Sequence, residues 1–381
     1  MANKSPLRVC YFGTYRGNYS RNQMMIAGLR LNGVEVIECH QTLWHGIEDR
    51  VRVASGDWMR LSFWWRVFKV YWRLSKDYFH LKDFDILMVG YPGQFDVFPA
   101  RILSWVKRKP LVWDVFMSIY LISIERELDQ HNQFSIKLLH FIEGIALKLP
   151  NLLILDTNEY VNWFTKQYKI KSDRFRLVPT GADERIFSPI DKKPSVGGKF
   201  RVLYAGTFIP NHGVMHIVEA AKYLEGETDI LFELIGTGPD LLKAQQYVTN
   251  NQLGNVKFHE WMEKDQLTQY IGRADVCLGA FGTTPQSMMT VQNKIYETIA
   301  MAKPLISGDS PAARQVFTHG ENIYFCERDS GRSLADAIMF LKQDESLREK
   351  IAQTGYILFT QNYNLQNNGK RFCSHLLEVV S

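Results

Sequence analysis

The chemistry-bearing residues are densest in Phe281-Gly-Thr-Thr-Pro-Gln-Ser-Met-Met-Thr-Val-Gln-Asn-Lys-Ile-Tyr-Glu-Thr-Ile-Ala-Met-Ala-Lys-Pro304. A loop of Gly, Thr and Ser feeds a helix-like segment that opens at Asn293 and carries Lys294 and Glu297. Those two stand at i and i+3, on one face of the first turns. A carboxylate so placed can accept both hydroxyls of a ribose. Lys294 and the loop amides can hold a diphosphate. A solvated Glu–Lys pair is the alternative, and the apolar run around Glu297 argues against it. Further up the chain, Gly206-Thr-Phe-Ile-Pro-Asn-His-Gly213 lies between a strand-like and a helix-like run. Gly206 permits close backbone approach, and Thr207 and His212 can bond a phosphate at the positive end of the helix. Gly236-Thr-Gly-Pro239 follows a second strand; Gly236 and Gly238 leave room for a flat group such as a nucleobase. In the first half, Gly13-Thr-Tyr-Arg-Gly17 is a turn suited to an anion or a sugar hydroxyl, and it is not a G-x-G-x-x-G dinucleotide loop. Asp114 ends another strand-like run, as a sugar or acceptor contact or as a helix N-cap.

These residues sit on an alternation of strand and helix patterns. Strands are expected at Leu7–Gly13, Val34–Cys39, Asp85–Gly90, Pro110–Asp114, Leu152–Asp156 and Phe175–Pro179, with helices at Arg21–Asn32 and Ile136–Leu149. Ser188–Lys199 (SPIDKKPSVGGK) reads as a linker. The alternation then restarts with strands at Arg201–Gly206, Leu231–Gly236, Val256–Glu260, Asp275–Ala280, Pro304–Gly308 and Ile323–Cys326, and helices between and after them. The fold class is α/β, two doubly wound parallel halves whose natural ligand site is the cleft between them. The expected domains are 1–190, 199–360 and a closing helix at 361–381 that packs back on the first.

Composition narrows the function classes. The 381 residues are 46% hydrophobic and 22% charged, which excludes disorder. Five cysteines without a C-x-x-C pair exclude a disulfide scaffold and a zinc site, and indicate a reducing, cytoplasmic setting. No Asp-x-Asp stands at a strand end, so no metal is expected. No apolar run is long enough to span a bilayer. The opening Met-Ala-Asn-Lys-Ser-Pro leads directly into a strand, so no leader is expected.

Charge is uneven. Residues 1–193 hold 28 Lys+Arg against 20 Asp+Glu, a balance of +8, while the remainder carries −3. Much of the excess lies in Trp58–Lys76 (WMRLSFWWRVFKVYWRLSK). On a helical wheel Arg66, Lys69, Arg73 and Lys76 form one stripe beside a broad aromatic arc. An anionic membrane surface at the inner face of the cytoplasmic membrane is the partner such a helix suits. A core helix or a dimer face is the alternative. Stacking on single-stranded nucleic acid is disfavoured by the nucleotide-sugar pattern that follows.

Taken together, Val202–Ala221, Ile235–Pro239, Phe258–Leu267, Ala274–Ala280, Asn293–Ser307 and Glu321–Phe325 resemble the nucleotide-sugar domain of glycosyltransferase family 4. The first half resembles the acceptor domain of that family through Tyr11–Val36, Trp113–Tyr120, Asp156-Thr157 and Val178–Pro189. The resemblance implies a GT-B fold, two Rossmann-like domains facing a central cleft. It also implies retaining transfer of a hexose from a nucleotide-diphosphate sugar to a glycan or lipid-linked glycan, with no other cofactor. Glu297 matches the ribose-binding carboxylate. The chain departs from the pattern at Met289, where the family carries a Glu, and at Thr207 and His212, where it carries Arg and Lys. Lys294, His212 and loop amides would then hold the diphosphate. A nucleotide-sugar 2-epimerase and a catalytically degenerate sugar-nucleotide-binding subunit share the same shape.

Overall fold

The computed structural model of the chain describes residues 6–43, 60–125, 133–190 and 198–380. Most of the expected linker, and Trp58 and Met59 at the head of the aromatic stretch, lie outside these residues. The chain divides into two units, Met1–Pro179 with Leu365–Ser381, and Thr180–Asn364. The division falls ahead of the expected linker. Ala182 and Phe187 are buried in the second unit's core, and the Ala182 N–H donates to the Tyr363 carbonyl at 3.3 Å.

The first unit is a six-stranded sheet of β1 (Arg8–Gly13), β2 (Glu35–His40), β3 (Ile86–Val89), β4 (Leu111–Asp114), β5 (Leu152–Leu155) and β6 (Phe175–Leu177). Its order is β2-β1-β3-β4-β5-β6, and every pairing is parallel. β3, β4 and β5 are buried along their whole length, which is why they read as unbroken apolar runs. The helices are α1 (Ser20–Leu31), α2 (Leu61–His80), α3 (Val97–Lys107), α4 (Ile119–Glu125), α5 (Gln133–Ala146) and α6 (Asn158–Tyr168).

The second unit repeats the plan with β7 (Phe200–Ala205), β8 (Ile230–Ile235), β9 (Val256–His259), β10 (Val276–Leu278), β11 (Leu305–Gly308) and β12 (Tyr324–Cys326). The order is β12-β11-β10-β7-β8-β9, again all parallel. Its helices are α7 (Val214–Tyr223), α8 (Leu241–Asn250), α9 (Lys264–Arg273), α10 (Pro285–Met289), α11 (Asn293–Ala300), α12 (Pro311–Arg314), α13 (Gly331–Gln343) and α14 (Glu345–Asn362). α12 is a single turn that ends at Arg314.

The last helix, α15 (Leu365–Leu377), belongs to the first unit. It lies within the expected 361–381 and packs against α1. Gly28 and Gly369 make the crossing: a Cβ on Gly369 would sit 2.0 Å from the Gly28 carbonyl oxygen. The Asn32 side-chain amide donates to the Gln366 carbonyl and accepts from the Gln366 side chain beside it, and Phe372 and Leu376 complete the core around Val9, Met25 and Leu29.

In each sheet the strand order reverses once. The reversal falls between β1 and β3 in the first unit and between β7 and β10 in the second. At such a switch point the loops leave in opposite directions and open a crevice outside the carboxyl ends of the strands.

Candidate functional site

The two switch points differ in what fills them. In the first unit the protein fills its own. The Asp96 carboxylate accepts from the Thr14 N–H at 2.8 Å, from the Thr14 hydroxyl and from the Tyr71 hydroxyl at 2.6 Å. Gly13 is glycine because a Cβ there would meet Asp96 Oδ2 at 2.6 Å. The anion expected at the Gly13 turn is therefore an internal one, and Gly13 is corrected from a ligand contact to a seat for Asp96. Asn22 closes the other side, accepting from the Tyr91 N–H and donating to its carbonyl.

Asp114 is corrected too. It is fully buried, and both oxygens are taken by Arg21, with Nε at 2.9 and 3.1 Å and Nη2 at 2.7 Å. Arg21 also donates to the Val178 carbonyl and lies over the Phe116 ring. This is a buried ion pair at the end of β4. It leaves no oxygen for a sugar, and it is not a helix N-cap.

In the second unit the loops after β7 and β10 are bound to each other. Phe281 N–H donates to the His212 carbonyl at 3.0 Å, and the Ser287 hydroxyl donates to the Asn211 carbonyl at 2.6 Å. The loop after β8 stacks on the first of them. Phe208 N–H donates to the Thr237 carbonyl, and a Cβ on Gly236 would sit 2.0 Å from the Gly206 carbonyl oxygen. Gly238 is held as closely to Phe208. Thr207 contributes its carbonyl, which accepts from the Tyr204 hydroxyl at 2.9 Å and from His212 Nδ1 at 2.7 Å. A ring nitrogen bonded to a carbonyl carries the proton, so the neutral His212 keeps Nε2 as an acceptor. Burial, with the Lys294 charge nearby, pushes His212 well below its usual range.

Lys294 points from α11 under these loops. It is 9% exposed, and its Nζ lies 3.8 Å from the centre of the Tyr204 ring and 3.5 Å from His212 Nδ1. Among the described residues no carboxylate pairs with it. Burial pushes its ammonium well below the ordinary lysine range, opposed by Glu297. Glu297, one turn along and partly buried, makes no hydrogen bond or ion pair among the described residues either. Burial raises its carboxyl to about 6, against the pull of Lys264 and Lys294. The alternative of a solvated Glu–Lys pair is not what the fold builds, since Lys294 is buried and does not pair with Glu297. Beside them Gln292, at the N-cap of α11, has a buried Oε1 without a partner. Asn293 opens the helix, and Met289 is buried at the end of α10.

Arg328, two residues past β12, escapes a sequence reading. Its guanidinium donates to the carbonyls of Asp309 and Gly282 and, at 2.7 Å, to the Ser287 hydroxyl. Burial lowers it to about 10. An arginine at the carboxyl end of a strand is the available signal, and nothing in its spacing names these partners. The switch point of the second unit therefore holds cationic groups bonded to neutral acceptors, and a free carboxylate. Electrostatically it is an anion site with a hydrogen-bond acceptor beside it.

Gly206 sets the position of the ammonium. Its φ is +151°, and a Cβ there would lie 2.5 Å from Lys294 Nζ. Gly206→Ala is expected to lower the unfolding free energy of the second unit by about 1–3 kcal/mol. In a Lys294→Ala background the same change is expected to cost less, because the steric part is relieved. Denaturant titration of the single and double variants measures both.

Residues 199–344 match the family model described as Glycosyl transferases group 1. Two curated relatives align over the same share of the chain. An uncharacterized glycosyltransferase of Methanocaldococcus jannaschii is 24% identical over 153 residues, 40% of this chain and 41% of that protein. The lipopolysaccharide core biosynthesis glycosyltransferase LpsE of Rhizobium meliloti is 25% identical over 156 residues, 41% of this chain and 43% of that one. The chain thus spans less than half the length of the curated relatives it matches. Two solved structures align over nearly the whole chain. Anabaena HepE in complex with UDP has a TM-score of 0.69 at 13% identity, covering 98% of this chain and 100% of that one. Sucrose-phosphate synthase from Thermosynechococcus elongatus has a TM-score of 0.72 at 14% identity, covering 98% and 99%. The likeness shows the fold, two Rossmann-like units of the GT-B class.

Proposed function

We propose that the chain is a retaining glycosyltransferase that moves a hexose from a nucleoside-diphosphate sugar to a glycan or lipid-linked glycan acceptor. One observation carries the reading. At the second unit's switch point, Lys294 and Glu297 are a buried ammonium and a partly buried carboxylate that do not neutralise each other. A ligand with two anionic groups and a vicinal diol would satisfy both. Lys294 and the loop amides of Gly282–Thr284 receive the diphosphate; Glu297 accepts from the ribose; the loop at Gly236 and Gly238 borders the base. His212 Nε2 lies on the same loop as an acceptor for a sugar hydroxyl.

The reaction needs its leaving group stabilised as negative charge grows on the β-phosphate. Fixed donors in a water-poor crevice do that without reorganising. Retention then proceeds on one face of the sugar, the departing phosphate oxygen taking the acceptor's proton, and no protein base is required. The UDP and UDP-glucose complexes of the Anabaena neighbour make UDP the first nucleotide to test. The lipopolysaccharide relative makes a surface polysaccharide the first acceptor class. Met289 favours one other reading, a sugar-nucleotide-binding subunit without turnover.

A thermal-shift panel of UDP, GDP, ADP and dTDP tests the donor site. One nucleotide is expected to raise the midpoint of the wild-type chain, by linkage, and to leave Glu297→Ala unmoved. Equal shifts in wild type and variant would remove Glu297 from the site. Binding without transfer to any acceptor would select the subunit reading.

A further inference from the structure

The aromatic stretch is absorbed neither by the fold nor by the donor site. Residues on α2 fall into three bands at about 100° per residue. Leu74 and Tyr78 face the core, and Tyr71 reaches inward to Asp96. The Tyr78 hydroxyl donates to the Leu103 carbonyl, which fixes α2 beside α3. The next band is Leu61, Trp64, Trp65, Phe68, Trp72 and Phe79, gathered in an arc of about 100°. None of it is core: Leu61 is 88% exposed, Trp65 59% and Trp72 66%. The third band is the basic stripe beyond it. Lys69, Arg73 and Lys76 have no acidic partner among the described residues.

The exposed rings are ordered. Trp65 stacks on Phe68 and Phe68 on Trp72, with Lys69 Nζ over the Trp65 ring. The neighbouring α3 repeats the chemistry: Ile102, Trp105 and Val106 are each about three-fifths exposed, and Arg101 lies over the Trp105 ring. The core alternative for this helix is therefore excluded by burial, because a different face of α2 meets the sheet.

We propose that α2 and α3 form a docking surface for an anionic lipid bilayer, with the indole and phenyl rings at headgroup depth and the basic stripe against lipid phosphates. Charge chooses the occupant. A second copy would bring one unneutralised basic stripe against another, and a bilayer with acidic lipids neutralises it. No helix among the described residues is long and apolar enough to cross a membrane, so the mode is attachment in the plane of the interface. This inference rests on the first unit alone and is independent of the donor reading.

Flotation of the full chain with phosphatidylcholine vesicles, with and without about one-third phosphatidylglycerol, is the test. Binding to the anionic vesicles is expected to exceed binding to the neutral ones roughly tenfold or more, and to weaken with salt. Two exposed-residue variants keep the test independent of folding, each checked by its unfolding midpoint. Trp64→Ser/Trp65→Ser/Trp72→Ser is expected to lose binding to both vesicles. Lys69→Glu/Arg73→Glu/Lys76→Glu is expected to lose the anionic preference. Absence of flotation, equal binding to both compositions, or binding unchanged in the triple tryptophan variant would overturn the proposal. So would a vesicle-free dimer abolished by that variant, or displacement of the vesicles by a single-stranded oligonucleotide.

Discussion

Asp114→Ala is expected to destabilise the first unit by about 3–5 kcal/mol, because it strands a charged Arg21 in the interior. Arg21 is 1% exposed and Asp114 not at all, and their pairing spans 93 positions of sequence. One bond to the Val178 carbonyl, the Phe116 face and the field of the buried Asp156 replace only part of the lost carboxylate. Urea unfolding followed by circular dichroism measures the loss. Arg21→Met/Asp114→Leu is expected to recover most of it, since removing both charges removes the stranded one. An Asp114→Ala chain that unfolded like wild type and lost turnover would return Asp114 to the role of a sugar contact.

The second large effect belongs to Lys294. Lys294→Ala is expected to lower kcat/KM by roughly two to three orders of magnitude, the scale of losing one preorganised donor to a developing anion. The buried ammonium carries a signature that a packing residue lacks. In the free protein burial holds its proton weakly. A bound diphosphate restores the affinity for that proton, so binding takes a proton up at a pH between the two values. Calorimetry over a pH series, in buffers of different ionisation enthalpy, is expected to show this uptake in wild type and not in the variant. Glu297 works in the opposite sense. Its carboxyl titrates at about 6, so acidification below that value neutralises the acceptor and weakens the grip on a ribose. Affinity unchanged across that range would separate Glu297 from the ligand.

The strands were legible because parallel strands covered on both faces must be apolar throughout, as β3, β4 and β5 are. The glycines after β7 and β8 were legible for a related reason: they sit at strand ends, where chain meets chain. What those glycines touch was not legible. Gly13 and Gly206 look alike in sequence; the first seats a carboxylate supplied by Asp96, and the second makes room for the Lys294 side chain. Asp114 misled for the same reason. A carboxylate at the end of a strand reads as a ligand contact, and its arginine is too distant in sequence to be counted. Four helices, α3, α4, α6 and α10, had no place in the sequence reading. α10 is five residues long, too short for a period to show. Glu297 and Lys294 were legible as a pair, yet their failure to neutralise each other depends on which way Lys294 turns, and that is decided by Tyr204 and Gly206.

The placement of α15 has a consequence for synthesis. The first unit's core is closed by Phe372 and Leu376, which leave the ribosome after every strand of the second unit, the last of which ends at Cys326. Emergence and completion therefore run in opposite orders. The amino-terminal sheet waits, with its α1 face uncovered, until the strands of the second unit and α15 have been made.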